Sequence, residues 1–527
     1  MPLQIRHILL RTLFFVAGAV LLQGCAQQEV QQYRESAHLR ILHWNDFHAH
    51  NVPFEATTTD STTGKKLAYK VGGAGNFLGY LKQFGKGRND VAVLNAGDNF
   101  QGTPISSLTY GRSQIELMNI TNPDAMALGN HEFDYGLQHL RDDMSIANFP
   151  ILAANLYDST TGKTFAAATL VKQFDKVRVG FIGLLPPDLP ILTMKQNLTR
   201  TGMLDIDSVV STQIKNLRRD DKVDLIVIIS HMGVEQDTML ASRHNDIDVI
   251  VGGHTHMALF KPIKKNRTVV VQAGSWGRYV GKLDLIVDLE GDSVLNYAGE
   301  LIETKLGMYG IDSVAEAKAL ALEGVVAKEL NEVIGTLAVE WKRSFTKESN
   351  IGNWEADVMR EFGHPDIALV NSGSLRKNMS PGPITKRDMW EMNPFSNTFV
   401  KFSITGRSLM QMLEWQAAKK GELMQISGLR YAYDSDKPAG NKVLEATVGG
   451  KPIEPDRSYS IVTNNYVTGH LPELLGLDDP SIVLTDLSVV DRDVMIDFIR
   501  RQRIISSKIE GRIVDRVQSS TGGDSDE

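Results

Sequence analysis

One cysteine, Cys25, stands in 527 residues. An internal disulfide is therefore excluded, and the fold must be held by packing, hydrogen bonding or bound ions. Excess positive charge is absent too: 56 Lys and Arg against 63 Asp and Glu leave a formal net charge of -7. That removes any general attraction for a nucleic-acid polymer, so phosphate binding would fall to local basic residues. The apolar stretch Thr12 to Leu22 is too short for a membrane span. No internal repeat is found. What is there is globular in kind: 42% apolar, 23% charged and 7% aromatic residues exclude a disordered or fibrous chain. A length of 527 residues exceeds one core and implies two or three domains.

The N-terminus reads as a targeting segment. Arg6, His7 and Arg11 form a basic head, Thr12 to Leu22 is apolar, and Leu22-Gln23-Gly24-Cys25 follows. This resembles the bacterial lipobox, in which cleavage leaves the Cys as a lipid-bearing N-terminus. The resemblance implies a signal peptide over 1–24, lipidation of Cys25 and a tether over 25–38. The product would be an exported lipoprotein, membrane-anchored in the periplasm or at the outer membrane or cell surface. Ala26 stands where an Asp would favour inner-membrane retention.

From Leu39 onward, apolar runs alternate with polar, Gly-bearing segments. Leu39–Leu42, Val91–Leu94, Ala125–Leu128, Val177–Leu185, Val223–Ile229 and Ile247–Val251 read as buried strands. Helical patterns such as Ala74–Phe84 and Ser208–Arg219 lie between them. Strands alternating with helices predict a layered α/β domain over 39–308. A long Ala-, Leu- and Glu-rich helix follows within 309–340, and a smaller mixed α/β domain over 341–517. The Ser-, Gly- and acid-rich tail, 518–527, reads as disordered.

The chemistry gathers where the runs end. In Leu94-Asn95-Ala96-Gly97-Asp98 the carboxylate follows a strand and a turn-permitting glycine. Burying it needs a neutralising partner: a metal ion, a helix N-terminus or an Arg. Other strand ends carry Asp46, His48, Asn130, His231, His254 and His256. Ligands collect at the carboxyl ends of strands in such folds. Carboxylate, imidazole and amide oxygen together suit Zn, Mn or Co, and Mg or Ca less well. Asp46 and His48, like His254 and His256, are two apart and point the same way from an extended segment. Seven such groups exceed the needs of one ion with an open position; two ions sharing one ligand would use them all.

The blocks Asn45-Asp46-Phe47-His48, Gly97-Asp98, Gly129-Asn130-His131-Glu132, Ser230-His231-Met232-Gly233 and Gly252-Gly253-His254-Thr255-His256 resemble the calcineurin-like metallophosphoesterases, and in their order. Glu348 to Asn353, Asn371 to Arg376, Asn393 to Thr398 and Glu510 to Ile513 resemble the C-terminal domain of the 5′-nucleotidase family. That family includes bacterial UDP-sugar hydrolases and animal ecto-5′-nucleotidases. The resemblance implies a four-layer β-sandwich flanked by helices, joined by a helix to a substrate-binding domain. It implies one ion on Asp46, His48 and His256, a second on Asn130, His231 and His254, and Asp98 between them. Two ions about 3.5–4 Å apart would hold a bridging hydroxide that attacks phosphorus. His131 would stabilise phosphoryl charge or protonate the leaving group, oriented by Asp134.

The second half implies Arg376 as a phosphate ligand and Asn371 as a nucleoside contact. Lys347 stands where an Arg is expected, without the bidentate fork. Of two base-stacking rings, Tyr466 matches one and Leu423 occupies the place of the other. His470-Leu471-Pro472-Glu473 replaces a segment whose Asp would bind ribose. The expected reaction is nucleoside 5′-monophosphate to nucleoside and phosphate. The alternatives are the same chemistry on 2′,3′-cyclic nucleotides, UDP-sugars or a non-nucleotide phosphoester. A non-catalytic surface lipoprotein is the remaining one, against which the intact ligand set and the His131/Asp134 pair speak.

Overall fold

The structure, a computed structural model, describes residues 35–59, 65–419 and 421–517. Cys25, the signal segment, most of the tether and the tail 518–527 lie outside the described residues.

Two six-stranded sheets form the centre of the first half. One runs, in spatial order, 293–303, Tyr279–Asp288, Ser36–Trp44, Val91–Asn95, Ala125–Ala127 and Ile151–Leu152. The other runs 263–265, Thr268–Gln272, Val249–Gly252, Leu225–Ser230, Val177–Leu184 and Thr169–Phe174. The period-2 alternation of strands assigns their two faces. Leu39 and Ile41 meet Val227, Ile229, Val249 and Val251 in a dry core between the sheets. Leu42 and Trp44 face the other way, against Phe77, Leu78 and Leu81 of the helix Ala74–Gly85. On the far sheet, Ile226 and Ile228 turn outward to Val210, Ile214 and Leu240 of the helices Ile206–Arg219 and Val234–Arg243. Both faces of each sheet are covered, which is why these strands read as continuous apolar runs. The result is the expected layered sandwich with helices on both sides.

The second half has a five-stranded sheet in the order Met424–Ser427, Ile367–Asn371, Ser458–Asn464, Thr398–Thr405, Thr485–Val490. Ala368 and Val370 pack toward the helices Asn350–Gly363 and Asp491–Gln502, while Ile367 and Leu369 face Leu409, Met412 and Leu413. The helix Ser313–Leu330 sits between the halves. Its Val326 and Leu330 pack with Ala49 and Ile105 of the first half and with Trp390 of the second. Lys318 pairs with Glu116 (2.6 Å) and Glu323 with Arg387 (2.8 Å), one contact to each side.

Candidate active site

Five parallel strands, three from one sheet and two from the other, end at one place. Asp46 and His48 follow Ser36–Trp44; Asp98 follows Val91–Asn95; Asn130 follows Ala125–Ala127. His231 follows Leu225–Ser230, and His254 and His256 follow Val249–Gly252. Asp46, His48, Asp98, His254 and His256 all have positive φ, between 49° and 77°. Left-handed backbone costs a non-glycine residue about 1–2 kcal/mol. Such strain concentrated on one constellation is a signature of function. Gly129 is required here: a Cβ would lie 2.2 Å from Asp98 Oδ1.

The imidazoles are held from behind. His231 Nδ1 lies 2.6 Å from the Ala96 carbonyl and His48 Nδ1 lies 3.1 Å from the Phe100 carbonyl. A carbonyl only accepts, so both Nδ1 atoms carry a proton and both Nε2 atoms face the centre. His48 Nε2 is 3.0 Å from His256 Nε2, which is 3.3 Å from Asp46 Oδ1. His231 Nε2 is 2.9 Å from Asp98 Oδ2, yet has no hydrogen bond; nor does the buried Asn130 Oδ1. Asp46, His48 and His256 form one group able to hold a cation, and Asp98, His231 and His254 another. An unpartnered buried Asn130 Oδ1 converging with imidazole nitrogens and two carboxylates fits divalent cations, which would satisfy it and displace any proton on those nitrogens.

The electrostatics point the same way. Burial raises Asp46, but His256 and His231 outweigh it and hold it at about 2. Burial opposes charge on His231, and Asp98 overcomes that, pushing it up to about 10. Burial and its neighbour His256 hold His48 well below the ordinary range. The pocket demands positive charge, which protons and metal ions compete to supply.

His131 stands beside this centre, Nε2 4.0 Å from Asp98 Oδ2. Its Nδ1 bonds Asp134 Oδ2 at 2.7 Å, which leaves Nε2 free toward the cleft. Burial lowers His131, Asp134 and Asp98 raise it, and the balance is upward. Glu132, part of the Gly129-Asn130-His131-Glu132 block, was given no role from sequence. Its carboxylate accepts N–H from Asn99 (2.7 Å), Gly129 (2.7 Å), Asp98 (3.0 Å) and Phe100 (3.3 Å). It ties the Asp98 turn to the Asn130 turn. It binds backbone and not metal, so only its place beside His131 could have revealed it.

A cleft of about 470 Å³ opens over the centre, walled on the opposite side by the second half. Asn371, Arg376 and Tyr466 line it with His131, Asp134 and His256. Lys347 and Leu423 do not. The Lys347 side chain is exposed at the approach to the helix Asn350–Gly363. Leu423 is buried, its backbone N–H bonded to the Phe345 carbonyl (2.9 Å). Phe345 lines the cleft instead, so an aromatic ring comes from a neighbouring loop that the motif alignment passes over. Residues 192–194 of the first half also line the cleft. There the Tyr466 hydroxyl donates to the Ile191 carbonyl (2.8 Å).

Comparison with known proteins agrees with this architecture. Residues 39–258 match the calcineurin-like phosphoesterase family and residues 333–472 the 5′-nucleotidase C-terminal domain. The crystal structure of a 5′-nucleotidase precursor from Thermus thermophilus superposes with a TM-score of 0.82 at 30% identity, covering 91% of this chain and 99% of that one. An apyrase from Tabanus yao is 28% identical over 90% of this chain and 93% of its own length. Mouse 5′-nucleotidase is 27% identical over 90% of each.

Proposed function

The chain belongs to the 5′-nucleotidase family of metal-dependent phosphoester hydrolases, and from that premise we propose that it is an exported two-metal phosphohydrolase releasing phosphate from nucleoside 5′-monophosphates. The observation that carries this reading is the meeting, in one cleft, of two triads of candidate ligands with His131, Asp134 and Arg376. Asp46, His48 and His256 would hold one divalent cation, Asn130, His231 and His254 the other, and Asp98 would serve both. Zn, Mn or Co suits these ligands. When bound, such a pair supplies Lewis-acid polarisation of the phosphoryl group and water of lowered pKa.

The chain's own residues do the rest. Arg376 binds phosphoryl oxygens. His131, held in one tautomer by Asp134 and inclined to be protonated, offers its Nε2 proton to the transferring phosphoryl group or the leaving oxygen. Asn371, Tyr466 and Phe345 line the space for the leaving group. Residues 192–194 of the first half line the same space.

A second reading keeps the chemistry and changes the ester. It is favoured by Leu423 being buried and by His470-Leu471-Pro472-Glu473 standing where the family's ribose-binding Asp is expected. A panel of AMP, UDP-glucose, a 2′,3′-cyclic nucleotide and sugar phosphates decides between them. AMP should give the highest kcat/KM. Preference for any other member by tenfold or more would replace the nucleotidase assignment with that ester. Export and lipidation rest on Leu22-Gln23-Gly24-Cys25. Labelled fatty acid should enter the wild-type chain and not Cys25→Ser; equal labelling would refute lipidation at this residue.

A further inference from the structure

Glu422 lines the cleft and has no part in the chemistry described above. Its Oε1 accepts the Gly373 N–H at 2.6 Å and the Asn371 side-chain N–H at 3.1 Å. Asn371 is itself held by Asn464, whose Nδ2 donates to its Oδ1 at 3.0 Å. The carboxylate is thus fixed by a connected set of donors, and Oε1 has used both lone pairs. Oε2 makes no protein hydrogen bond among the described residues and belongs to a group that faces the cleft. Lys419 lies within electrostatic reach, but its Nζ points to the Glu473 carbonyl at 3.4 Å. Tyr466 lines the same cleft, and its hydroxyl is pushed up by burial and then by the charge of Glu422.

A fixed anion is an odd furnishing for a cleft that receives an anion. Arg376, three residues beyond Gly373, attracts phosphate; Glu422 repels it. The two together impose polarity on the substrate. The phosphoryl end goes to Arg376 and the metal centre, and the part near Glu422 must be uncharged and rich in donors. Carboxylate oxygens prefer O–H and N–H donors, and a hydrogen bond to an ionised group is stronger than a neutral one. Sugar hydroxyls are the donors a phosphomonoester of the proposed class would bring.

We propose that Glu422 is a specificity-determining residue, accepting hydrogen bonds from the sugar hydroxyls of the leaving group and excluding a second anionic group there. This rests on reading the cleft as the seat of a phosphomonoester hydrolase. The test uses Glu422→Gln, which keeps an acceptor for Gly373 and removes the charge. The substrates are paired: AMP with 2′,3′-dideoxy-AMP, and ribose 5-phosphate with 2-deoxyribose 5-phosphate. The ratio of kcat/KM within each pair is measured, with calorimetric binding of adenosine and 2′,3′-dideoxyadenosine alongside. The wild type should favour the hydroxylated member by on the order of 10-fold or more. In Glu422→Gln the ratio should fall toward one. Adenosine 3′,5′-bisphosphate, poor for the wild type, should become a better substrate of the variant, a gain that damage to the loop could not produce. Equal treatment of both members by the wild type, or a variant retaining the wild-type ratio, would overturn the proposal. Turnover of the ribose pair without AMP would instead sink the nucleotide assignment and leave Glu422 to be judged on that pair.

Discussion

At the scale of single residues, the division of labour between His131 and Asp134 makes a definite claim. Asp134 fixes the Nδ1 proton and raises the imidazole, which favours the form that also carries a proton at Nε2. A raised pKa means that the protonated form is lost only as pH climbs through the higher value. Asp134→Asn removes the support, lowers His131 and should move the alkaline limb of kcat/KM to lower pH, with a loss of about 10-fold or more at pH 7. An unmoved limb would show that His131 does not act through its proton. Gly129 tests position instead of charge. A Cβ there would meet Asp98 Oδ1 at 2.2 Å, so Gly129→Ala must push the carboxylate aside. Turnover should fall by about 100-fold, the cost of a displacement of about 1 Å. Melting should change little by comparison, and a variant with normal turnover would mean that Asp98 is not placed as described.

Elements explain which features were legible from sequence. The sandwich strands were, because both faces of each sheet are covered and the central strands run apolar on both sides, as in Leu225–Ile229 and Val249–Val251. The gathering of Asp46, His48, Asp98, Asn130, His231, His254 and His256 was also legible, because they fall just past those strands. Phe345 and Glu422 were not. They sit on loops with no periodicity, held at the cleft by the Leu423 N–H bonded to the Phe345 carbonyl and the Gly373 N–H bonded to the Glu422 carboxylate. A motif fixes what its residues are, not which neighbour takes the wall. The helix Leu137–Ile146 carries a further prediction. Its Asp143 is 3% exposed with Oδ2 unpartnered, and burial pushes it up to about 7. The native state therefore favours the protonated acid. That contribution is complete below the unfolded value near 4 and is lost as pH rises through about 7. Asp143→Asn should thus raise stability at pH 8.5 by about 2–4 kcal/mol and do little at pH 4. A melting temperature shifted equally at both pH values would exclude this ionisation as the cause.

For the whole molecule, the cleft exists only because two halves meet. The first half carries the two candidate metal-holding groups, the second lines the cleft with Arg376, Asn371 and Tyr466, and Ser313–Leu330 packs against both. Among the described residues no helix is long and apolar enough to cross a membrane. Cations that bind the folded centre and not the unfolded chain stabilise by mass action. Chelation should therefore lower the melting temperature as well as abolish phosphate release, and Mn, Co or Zn should restore both. Loss of activity with no change in melting would place the metal on substrate and not on the protein.

The most direct measurement combines metal content with phosphate release from AMP in the wild type and in Asp98→Ala, after chelation and reloading. The wild type should retain two divalent ions per chain and turn over AMP; the variant should hold fewer and lose nearly all turnover. An Asp98→Ala protein with two bound ions and wild-type turnover would contradict the two-metal centre at its central ligand.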